Sequence, residues 1–507
     1  MPSLLPLLSL LLLPPTSSVI ITLTSSTPLN TLGPSYVSTN LDPSCNRGFH
    51  HIDLGNPNLQ AALSALSPSR LRFGGSGGDS LLYGLGNASV CAGLPPAPAP
   101  PANGCSFGTP GCLNESTWSR LYALSSLTST PLTFGISYGG EHSCSASYDW
   151  AAGSGYTNAQ RLLAYMAAHN QSLYGFELGN EVNLGAPSCH SIPAQQASAL
   201  AALAALAPGA VLAGPDTGDI NASAWLQGYL PLASSILRAA THHQYNGATQ
   251  ANWDSPTQLD ALLPEMTAYV SQVHALAPHA EVWAGEVGPH GGGENGTCNA
   301  GAICGTFASS LWYADDLGLR ARAGYHHHQR QDLIGGAYGM TVGGLSGPLA
   351  LSPTEPLTLL PDFYTAFLWK RTLGVSVLGV ASSLASVRAY AFSGPPPSPH
   401  AHPACSAVNA SQYLLLNLAP PAPGATVAQL PPAPPGARYA AWSLAAGAQG
   451  VFGAAATLNG LPLQQSVNVG AASPSAFLSG IVQPPVQGAA ADGVVLPPHS
   501  TTFVCVG

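Results

Sequence analysis

The sequence is poor in charge, and above all in lysine. Charged residues make up 7% of the 507 residues, and Lys370 is the single lysine. Thirteen lysine and arginine residues stand against 22 aspartate and glutamate residues, for a formal net charge of -9. A chain with so few cations lacks the basic patch that nucleic acid or a densely sulfated chain needs. We therefore expect no nucleic-acid partner.

Long apolar runs and tight cysteine pairs are also missing. The apolar run at residues 4–13 is too short for the roughly 20 residues of a membrane-spanning helix, and no other stretch is long and apolar enough. The Ala/Leu run at 197–207 is typical of a barrel helix. None of the ten cysteines lies in a Cys-x-x-Cys pair, the spacing on which a cysteine metal site depends. The sequence thus predicts no transmembrane span, no metal and no other cofactor, while association with a membrane surface stays open.

Residues 4–13 form an apolar run of signal-peptide length that ends at Pro14-Pro15. The prolines disfavour a buried helix, so we predict a signal peptide over residues 1–18 that is removed near residues 17–19. An even number of cysteines fits the oxidising compartment that such a leader implies. We predict a secreted protein of the extracellular space or cell wall, with the lysosome or vacuole as the alternative.

Several cysteines and asparagines are candidates for covalent modification. Cys298 and Cys304 are close enough for a small loop bridge, and Cys405 and Cys505 would tie the C-terminal region to itself. Four more lie in or near a Pro/Gly-rich loop at 92–113 and could staple it, with their pairing open: Cys91, Cys105, Cys112 and Cys144. Six N-x-S/T sequons, of which we expect part to be used, are glycosylation candidates: Asn87, Asn114, Asn170, Asn221, Asn295 and Asn409.

Predicted strands and helices alternate along the first three quarters of the chain. Eight strands are predicted at 35–42, 71–75, 131–136, 174–179, 210–214, 240–244, 280–285 and 322–331. Alternating elements imply a parallel sheet, and eight such units favour a (β/α)8 barrel over residues 31–375. From residue 376 to 507, short β-like runs between Pro/Gly turns predict an antiparallel β-sandwich. A further strand is predicted near the N-terminus, at 19–30.

Two glutamates stand at the ends of predicted barrel strands. Glu181 directly follows the amide of Asn180, and Glu286 closes the apolar stretch at 281–286. Strand ends of one polarity meet at one rim of a parallel barrel, and two carboxylates there are the minimal equipment for cleaving a glycosidic bond. Helix N-capping is the alternative. Their places on the fourth and seventh strands resemble those of the acid/base and nucleophile in the large barrel clan of retaining glycosidases, which favours catalysis.

Three competing motifs carry less weight. The stretch 135–139 matches the G-x-S-x-G nucleophile elbow, but the residues after it do not favour the helix that this elbow requires. The run 326–328 offers three histidines without an acid or cysteine at matching spacing, so we interpret them as packing or barrel-lining residues. The glycine-rich stretch 74–78 lacks the lysine and the spacing of a phosphate-binding loop.

The chain resembles the heparanase-type enzymes of glycoside hydrolase family 79. The resemblance rests on six stretches that keep the family's order: Pro34-Ser35-Tyr36 to Asp42, Leu71-Arg72-Phe73-Gly74-Gly75, Phe176-Glu177-Leu178-Gly179-Asn180-Glu181, His242-His243 to Asn246-Gly247, Gly285-Glu286 with Gly291-Gly292-Gly293, and Arg330-Gln331 to Gly335-Gly336 with Tyr338. It implies a sandwich built from the N-terminal strand and the C-terminal region. It also implies metal-free, retaining hydrolysis of β-glucuronides.

The resemblance also assigns roles. Glu181 would be the acid/base and Glu286 the nucleophile, oriented by Tyr245. The remaining substrate-binding candidates are Asp42 and Ser76 for the sugar, Asn180 for its 2-hydroxyl, Gly291, Gly292 and Tyr338 for the uronic carboxylate, and His290 and Gln331 beside them. His290 replaces a tyrosine of animal heparanases, and Ser76 replaces a threonine.

The scarcity of cations sets this chain apart from animal heparanases and favours a plant-type substrate. We predict a monomeric enzyme that cleaves weakly charged β-glucuronides in a polysaccharide or proteoglycan glycan. Two alternatives stay open: a non-catalytic glycan-binding or cell-wall protein, and a barrel glycosidase with another β-glycoside specificity.

Overall fold

The computed structural model describes residues 17–43, 52–79, 81–94, 111–139, 149–184, 193–221, 223–290, 300–335, 339–343, 351–422, 424–469, 481 and 483–507. Strands and helices alternate through the first part of this region, as the sequence predicts. The helices are α1 (Pro57–Ala65), α2 (Ser76–Asp79), α3 (Glu115–Leu127), α4 (Ser154–Ala168), α5 (Pro193–Leu206), α6 (Ser223–Ala233), α7 (Pro256–Leu259), α8 (Leu263–Leu276), α9 (Phe307–Ala323), α10 (Pro361–Thr372) and α11 (Pro403–Ser406). Among the helices described, none has both the length and the apolarity needed to cross a membrane.

A closed barrel of eight parallel strands forms the larger part of the molecule. The first strands along the chain are β1 (Ser17–Thr31), β2 (Val37–Leu41), β3 (Leu71–Phe73), β4 (Leu81–Gly84), β5 (Gly111–Asn114), β6 (Leu132–Ile136), β7 (Gly175–Leu178), β8 (Val211–Thr217), β9 (Ala239–Tyr245), β10 (Glu281–Gly288), β11 (His327–Arg330), β12 (Thr341–Gly343) and β13 (Leu357–Leu359). The barrel order is β2-β3-β6-β7-β8-β9-β10-β11, with β11 closing onto β2. The predicted (β/α)8 barrel is confirmed, and β7 and β10 are its fourth and seventh strands.

Local sequence explains where several helices begin and end. The Asn56 side chain accepts from the N–H groups of Asn58 and Leu59 at the start of α1, and Pro57 follows at a position where its missing N–H costs nothing. Asn114 caps α3 in the same way through Thr117. Helix α9 ends at Ala323 and is capped by Gly324, which adopts its left-handed φ of 109° without strain because it has no side chain.

The last barrel strand is shorter than the sequence predicts. We expected a strand over residues 322–331, but α9 continues to Ala323 and β11 covers only His327–Arg330. The helix is buried along most of its length, so it lacks the polar face that marks a helix in sequence. The left-handed turn at Gly324, rather than a change in periodicity, separates the two elements.

The C-terminal region folds into the predicted β-sandwich. Its C-terminal strands are β14 (Ser376–Ser382), β15 (Val387–Ser393), β16 (Ser411–Asn417), β17 (Thr426–Gln429), β18 (Arg438–Ala446), β19 (Ala456–Leu458), β20 (Leu461–Pro462), β22 (Val486–Ala489), β23 (Val494–Leu496) and β24 (Ser500–Val506). The remaining strand of this region, β21 (Ser466–Val467), pairs instead with β13 in a small separate sheet. Strand β1 is shared between the two layers of the sandwich: Ser17–Ile20 pair with β17 in parallel, and later residues pair with β14 in antiparallel. The N-terminal strand therefore belongs to the sandwich, and β1 begins two residues before the expected boundary at residue 19.

Alternate side chains of the sandwich strands pack into two different cores, and this links the sandwich to the barrel. In β16, Tyr413 and Leu415 lie in the core between the sandwich layers, whereas Leu414 and Leu416 belong to the larger core shared with the barrel. The barrel side is supplied by α9, which contacts β16 and β24, and by α10, which contacts β24. A disulfide joins Cys405 to Cys505, as expected, and fastens α11 to β24.

The lone lysine lies inside the protein. Lys370 on α10 is 1% exposed and donates to the main-chain carbonyl of Pro68. Burial lowers the pKa of its ammonium from 10.5 to about 7. Because the pKa is lower in the folded than in the unfolded state, the folded protein binds fewer protons between about pH 7 and 10.5. The charged form therefore destabilises the fold fully below pH 7, and this cost fades as the pH rises.

We predict that Lys370→Met makes stability less dependent on pH. Its advantage over the wild-type chain should be about 2 kcal/mol larger at pH 6 than at pH 9, since wild-type Lys370 must carry its buried charge at the lower pH. Urea unfolding at both pH values measures this difference. Arg120→Met, which removes an exposed arginine, is the control and should show no such trend. An equal Lys370→Met effect at both pH values would contradict the prediction.

Candidate active site

The centre of the site is the guanidinium of Arg72, which lies at the C-terminal rim of the barrel. Its Nε donates to Glu177 at 2.5 Å, its Nη2 to Asp216 at 2.6 Å, and its Nη1 to Glu286 at 3.1 Å. Nη2 also lies 3.2 Å from Oδ1 of Asn180. These partners come from β7, β8, β10 and the loop after β7. One cation therefore holds side chains from across the barrel at fixed positions.

Two glycines make room for this arrangement. A Cβ atom on Gly74 would lie 2.5 Å from Cζ of Arg72, and one on Gly75 would lie 2.3 Å from the carboxylate of Asp42. Gly75 also has a φ of 114°, which side chains rarely tolerate. The Gly74-Gly75 pair thus lets the strand end run directly under two charged groups.

Burial and charge shift the acid–base properties of this cluster in opposite directions. Burial alone lowers the pKa of Arg72, but Asp216, Glu177 and Glu286 outweigh burial and raise that pKa well above its ordinary value. Burial raises the pKa of Glu177 to about 7 against the attraction of Arg72. For Asp216 the balance is reversed: burial favours a higher pKa, yet Arg72 and His243 lower it. Asp216 is therefore the firmly ionised partner of the guanidinium.

His243 is a second buried cation of the site. Its Nδ1 lies 2.8 Å from Oε1 of Glu181, and its Nε2 lies 2.7 Å from Oδ1 of Asp216. Burial lowers the pKa of the imidazole, but Asp216, Glu286 and the hydrogen bonds to Asp216 and Glu181 outweigh it and raise the pKa well above the usual range. Both ring nitrogens therefore carry protons, and they donate to Oε1 of Glu181 and to Oδ1 of Asp216.

Glu181 and Glu286 face each other beside His243. One carboxylate oxygen of each lies within 4.8 Å of the other and of a His243 ring nitrogen. Glu181 has a left-handed backbone with φ 51°, and its N–H donates to the carbonyl of Asp216 at 2.9 Å. Glu286 accepts from the hydroxyl of Tyr245 at 2.5 Å. The side chain of Glu181 is 25% exposed and that of Glu286 only 8% exposed.

The other predicted site residues fall into two groups. Asp42 accepts from Nε2 of Gln331 at 2.9 Å, and the amide of Asn180 lies 3.4 Å from the hydroxyl of Ser76. His290 follows the end of β10 on the same rim. Three predicted contacts to a uronic carboxylate lie outside the described residues: Gly291, Gly292 and Tyr338.

Glu181, His243 and Glu286 form the one group within the described chain that could offer three ligands to a metal ion. Its surroundings argue against that role. Nη1 of Arg72 lies 3.1 Å from Glu286, and His243 carries its own positive charge. A metal ion would have to displace one cation and deprotonate the other, so these acids are better matched to the cations already beside them.

The competing motifs take structural roles. The hydroxyl of Ser137 is buried and donates to the carbonyl of Asp79, so it is not paired with a base. The histidine run points to separate neighbours: His327 packs edge-on against Trp283, and His328 lies 2.7 Å from Asp316. Neither motif forms a second chemical site.

Sequence reasoning missed Glu177 and Asp216 and gave Arg72 and His243 no role. One signal was present: Arg72 and Glu177 are single charged residues within otherwise apolar strands of a chain that has few charges. An inward-facing charge in a barrel strand needs a partner on another strand. In β9, alternation turns His243 towards the site, while His242 lies 2.8 Å from the hydroxyl of Tyr325.

We predict that Gly74→Ala destabilises the protein by about 3 kcal/mol or more. The new methyl group would push Arg72 away and leave buried carboxylates unpaired. Gly78→Ala is the matched control, since its Cβ would meet nothing within 4 Å, and it should change stability by less than about 1 kcal/mol. Denaturant unfolding measures both. Equal stability of the two variants would show that Arg72 can move freely.

Comparison with known proteins adds to this geometry. Heparanase-like protein 1 of Arabidopsis thaliana is 28% identical over 355 residues, which cover 65% of this chain and 60% of that protein. Baicalin-beta-D-glucuronidase of Scutellaria baicalensis is 25% identical over 398 residues, 68% of this chain and 69% of the relative. The chain thus spans less than two thirds of the length of the Arabidopsis relatives that it matches.

The fold is similar to solved structures, and the sequence matches the model of a known family. The GH51 arabinofuranosidase of Xanthomonas axonopodis pv. citri superposes with a TM-score of 0.65 at 14% identity, over 97% of this chain and 100% of that structure, which shows a shared fold. Residues 43–318, more than half of the chain, match the model of the glycosyl hydrolase family 79 N-terminal domain. The chain therefore belongs to glycoside hydrolase family 79 and to its heparanase-like members.

Proposed function

We propose that this protein is a retaining glycoside hydrolase, with Glu181 as acid/base and Glu286 as nucleophile. The observation that carries the proposal is the short gap between them: one oxygen of each carboxylate lies within 4.8 Å of the other. Retaining enzymes keep the two carboxyl groups about 5 to 5.5 Å apart, whereas inverting enzymes leave roughly 6.5 to 9.5 Å for a water molecule. A close approach of the nearest carboxylate oxygens favours the shorter separation of the groups. A binding module would not need two acids held this closely.

The surroundings of each acid suit its role. The Glu286 carboxylate attacks the anomeric carbon and forms an ester as the glycosidic C–O bond breaks. Protonated Glu181 gives its proton to the leaving oxygen. Because Oε1 of Glu181 accepts from His243, that proton sits on Oε2. Glu181 then removes a proton from water, and this water releases the sugar from Glu286. Glu181 is the more exposed of the two acids, so it can reach the leaving group and water. Tyr245 and Arg72 orient the more buried Glu286.

We propose a β-glucuronide without dense sulfation as the substrate. A single uronic carboxylate can be held by main-chain N–H groups and a hydroxyl, without a formal cation. Sulfated chains are normally bound by arginine or lysine clusters. Both arginines within the barrel strands, Arg72 and Arg330, are buried and paired with carboxylates, the latter with Asp362 at 2.6 Å. They are therefore not available to a sulfate group.

We also propose that the protein is secreted, is glycosylated and acts as a monomer. The five described sequon asparagines are all exposed: Asn87, Asn114, Asn170, Asn221 and Asn409. Asn295 lies outside the described residues. Cys91 is bonded to Cys112 beside the Pro/Gly-rich loop, and the described cysteines are all oxidised. Cys304 is among them, while Cys298, its expected partner, lies outside the described residues. Exposed sequons and disulfides suit the secretory pathway.

We predict that Glu286→Gln lowers kcat on an aryl β-glucuronide by at least about 10⁴-fold while glycan binding persists, because the amide cannot form the ester intermediate. Glu281→Gln on the same strand is the control, since Glu281 pairs with the half-exposed Arg238 at the other end of β10 from Glu286. For the wild-type enzyme, NMR of the first product should show the β-anomer. An α-anomer formed first would refute retention, and glycan binding without turnover of any glycoside would favour the binding module.

A panel of 4-nitrophenyl glycosides and natural glycans tests the substrate. We expect the β-glucuronide and glucuronylated arabinogalactan to be cleaved, and heparan sulfate at least about 100-fold more slowly, because the net charge repels a polyanion. Rates at low and high salt measure this repulsion. Preference for a β-glucoside or an arabinofuranoside would support a barrel glycosidase of another specificity. Efficient cleavage of heparan sulfate would contradict the charge argument.

A further inference from the structure

Asp79, the last residue of α2, cross-links the two loops that carry the site. Its Oδ1 accepts from the main-chain N–H of Tyr138 at 2.9 Å, and its Oδ2 accepts from that of Asn180 at 2.9 Å. The hydroxyl of Ser137 donates to the carbonyl of Asp79 at 2.7 Å. One carboxylate thus joins the residues that follow β6 to the residues that follow β7.

The position of this bridge matters for the geometry of the acid. The N–H of Gly179 donates to the carbonyl of Ile136 at 2.9 Å, so the main-chain ladder between these strands reaches Gly179. One residue farther on, at Asn180, the carboxylate of Asp79 takes over from the ladder. The next residue is Glu181. Asp79 therefore fixes the chain at the peptide that leads into the proposed acid/base.

Glu181 needs such support because its backbone is strained. A φ of 51° costs a non-glycine residue on the order of 1 kcal/mol, and such a residue keeps this conformation only where its surroundings hold it. Its own N–H is held by the carbonyl of Asp216, and the N–H before it by Asp79. The side chain of Asn180 is held between Arg72 and Ser76, the first residue of α2. Helix α2 therefore supports Asn180 at both the main chain and the side chain.

We propose that Asp79 is a positioning residue for catalysis, which it serves by aiming the carboxyl group of Glu181 at the leaving oxygen. The inference rests on the proposed function of Glu181 as acid. Asp79 is therefore expected to affect the step in which Glu181 transfers its proton. Asp79 itself touches no reacting atom.

Asp79→Asn tests this role, because the amide keeps one acceptor oxygen and turns an N–H₂ group towards one of the two main-chain N–H groups. Proton transfer matters most for a leaving group of high pKa and least for an acidic phenol. We expect kcat/KM to fall about 10- to 100-fold for an alkyl or simple phenyl β-glucuronide and less than about 3-fold for a dinitrophenyl β-glucuronide. The ratio of the two rates does not depend on how much of the variant is folded.

Glu115→Gln is the matched control. Its carboxylate also accepts a main-chain N–H from another segment, that of Gly86 at 3.0 Å, but on the exposed surface. It should leave both rates unchanged. If Asp79→Asn leaves the ratio at the wild-type value, the inference is wrong, whether or not total activity falls. If the wild-type protein cleaves neither substrate, the proposed function fails and takes this inference with it.

Discussion

The site depends on one buried cation among three carboxylates. Arg72 is fully buried, and a guanidinium in that position is stable only if its charge and its donors are matched. Glu177, Asp216 and Glu286 provide the match from three different strands. Moving any of them would leave an unpaired charge in the barrel, so Glu286, the proposed nucleophile, is positioned by the same contacts that stabilise the buried arginine. The ion pairs of Arg72 thus both stabilise the site and fix its geometry.

The sequence was enough to predict the barrel, the sandwich and the two facing glutamates, because each depends on local pattern. Apolar strands that end in an acid show in the order of residues, and so does the change to short β runs after residue 375. The contacts of Arg72 cannot be read from the order of residues. Glu177 and Asp216 lie 105 and 144 residues away along the chain and meet Arg72 only when the barrel closes. The true end of α9 was missed because a buried helix has no polar face.

Several of the few charges of this chain form pairs that are buried or partly buried. Arg320 and His328 share Asp316, Arg330 holds Asp362, and Arg388 joins Asp315 and Asp260 where sandwich and barrel meet. Such pairs fix which elements lie side by side more than they add stability, since the cost of desolvation offsets most of the attraction. The surface is left with few cations, although it carries several sequons. With so few cations, contacts to sugars would come from hydroxyl and main-chain groups. Such a surface is poorly suited to a polyanion.

The loops of the site combine strain with support. Glu181, in the loop after β7, and Asp216, near the end of β8, both have left-handed backbones, with φ of 51° and 58°. The carbonyl of Asp216 accepts from the N–H of Glu181, so each strained residue is held partly by the other. The side chain of Asp216 is in turn fixed by Arg72 and His243, and His243 donates to Oε1 of Glu181. These contacts form a closed ring from main chain to side chain and back, so a change in the backbone of the proposed acid would disturb its contacts with both Asp216 and His243.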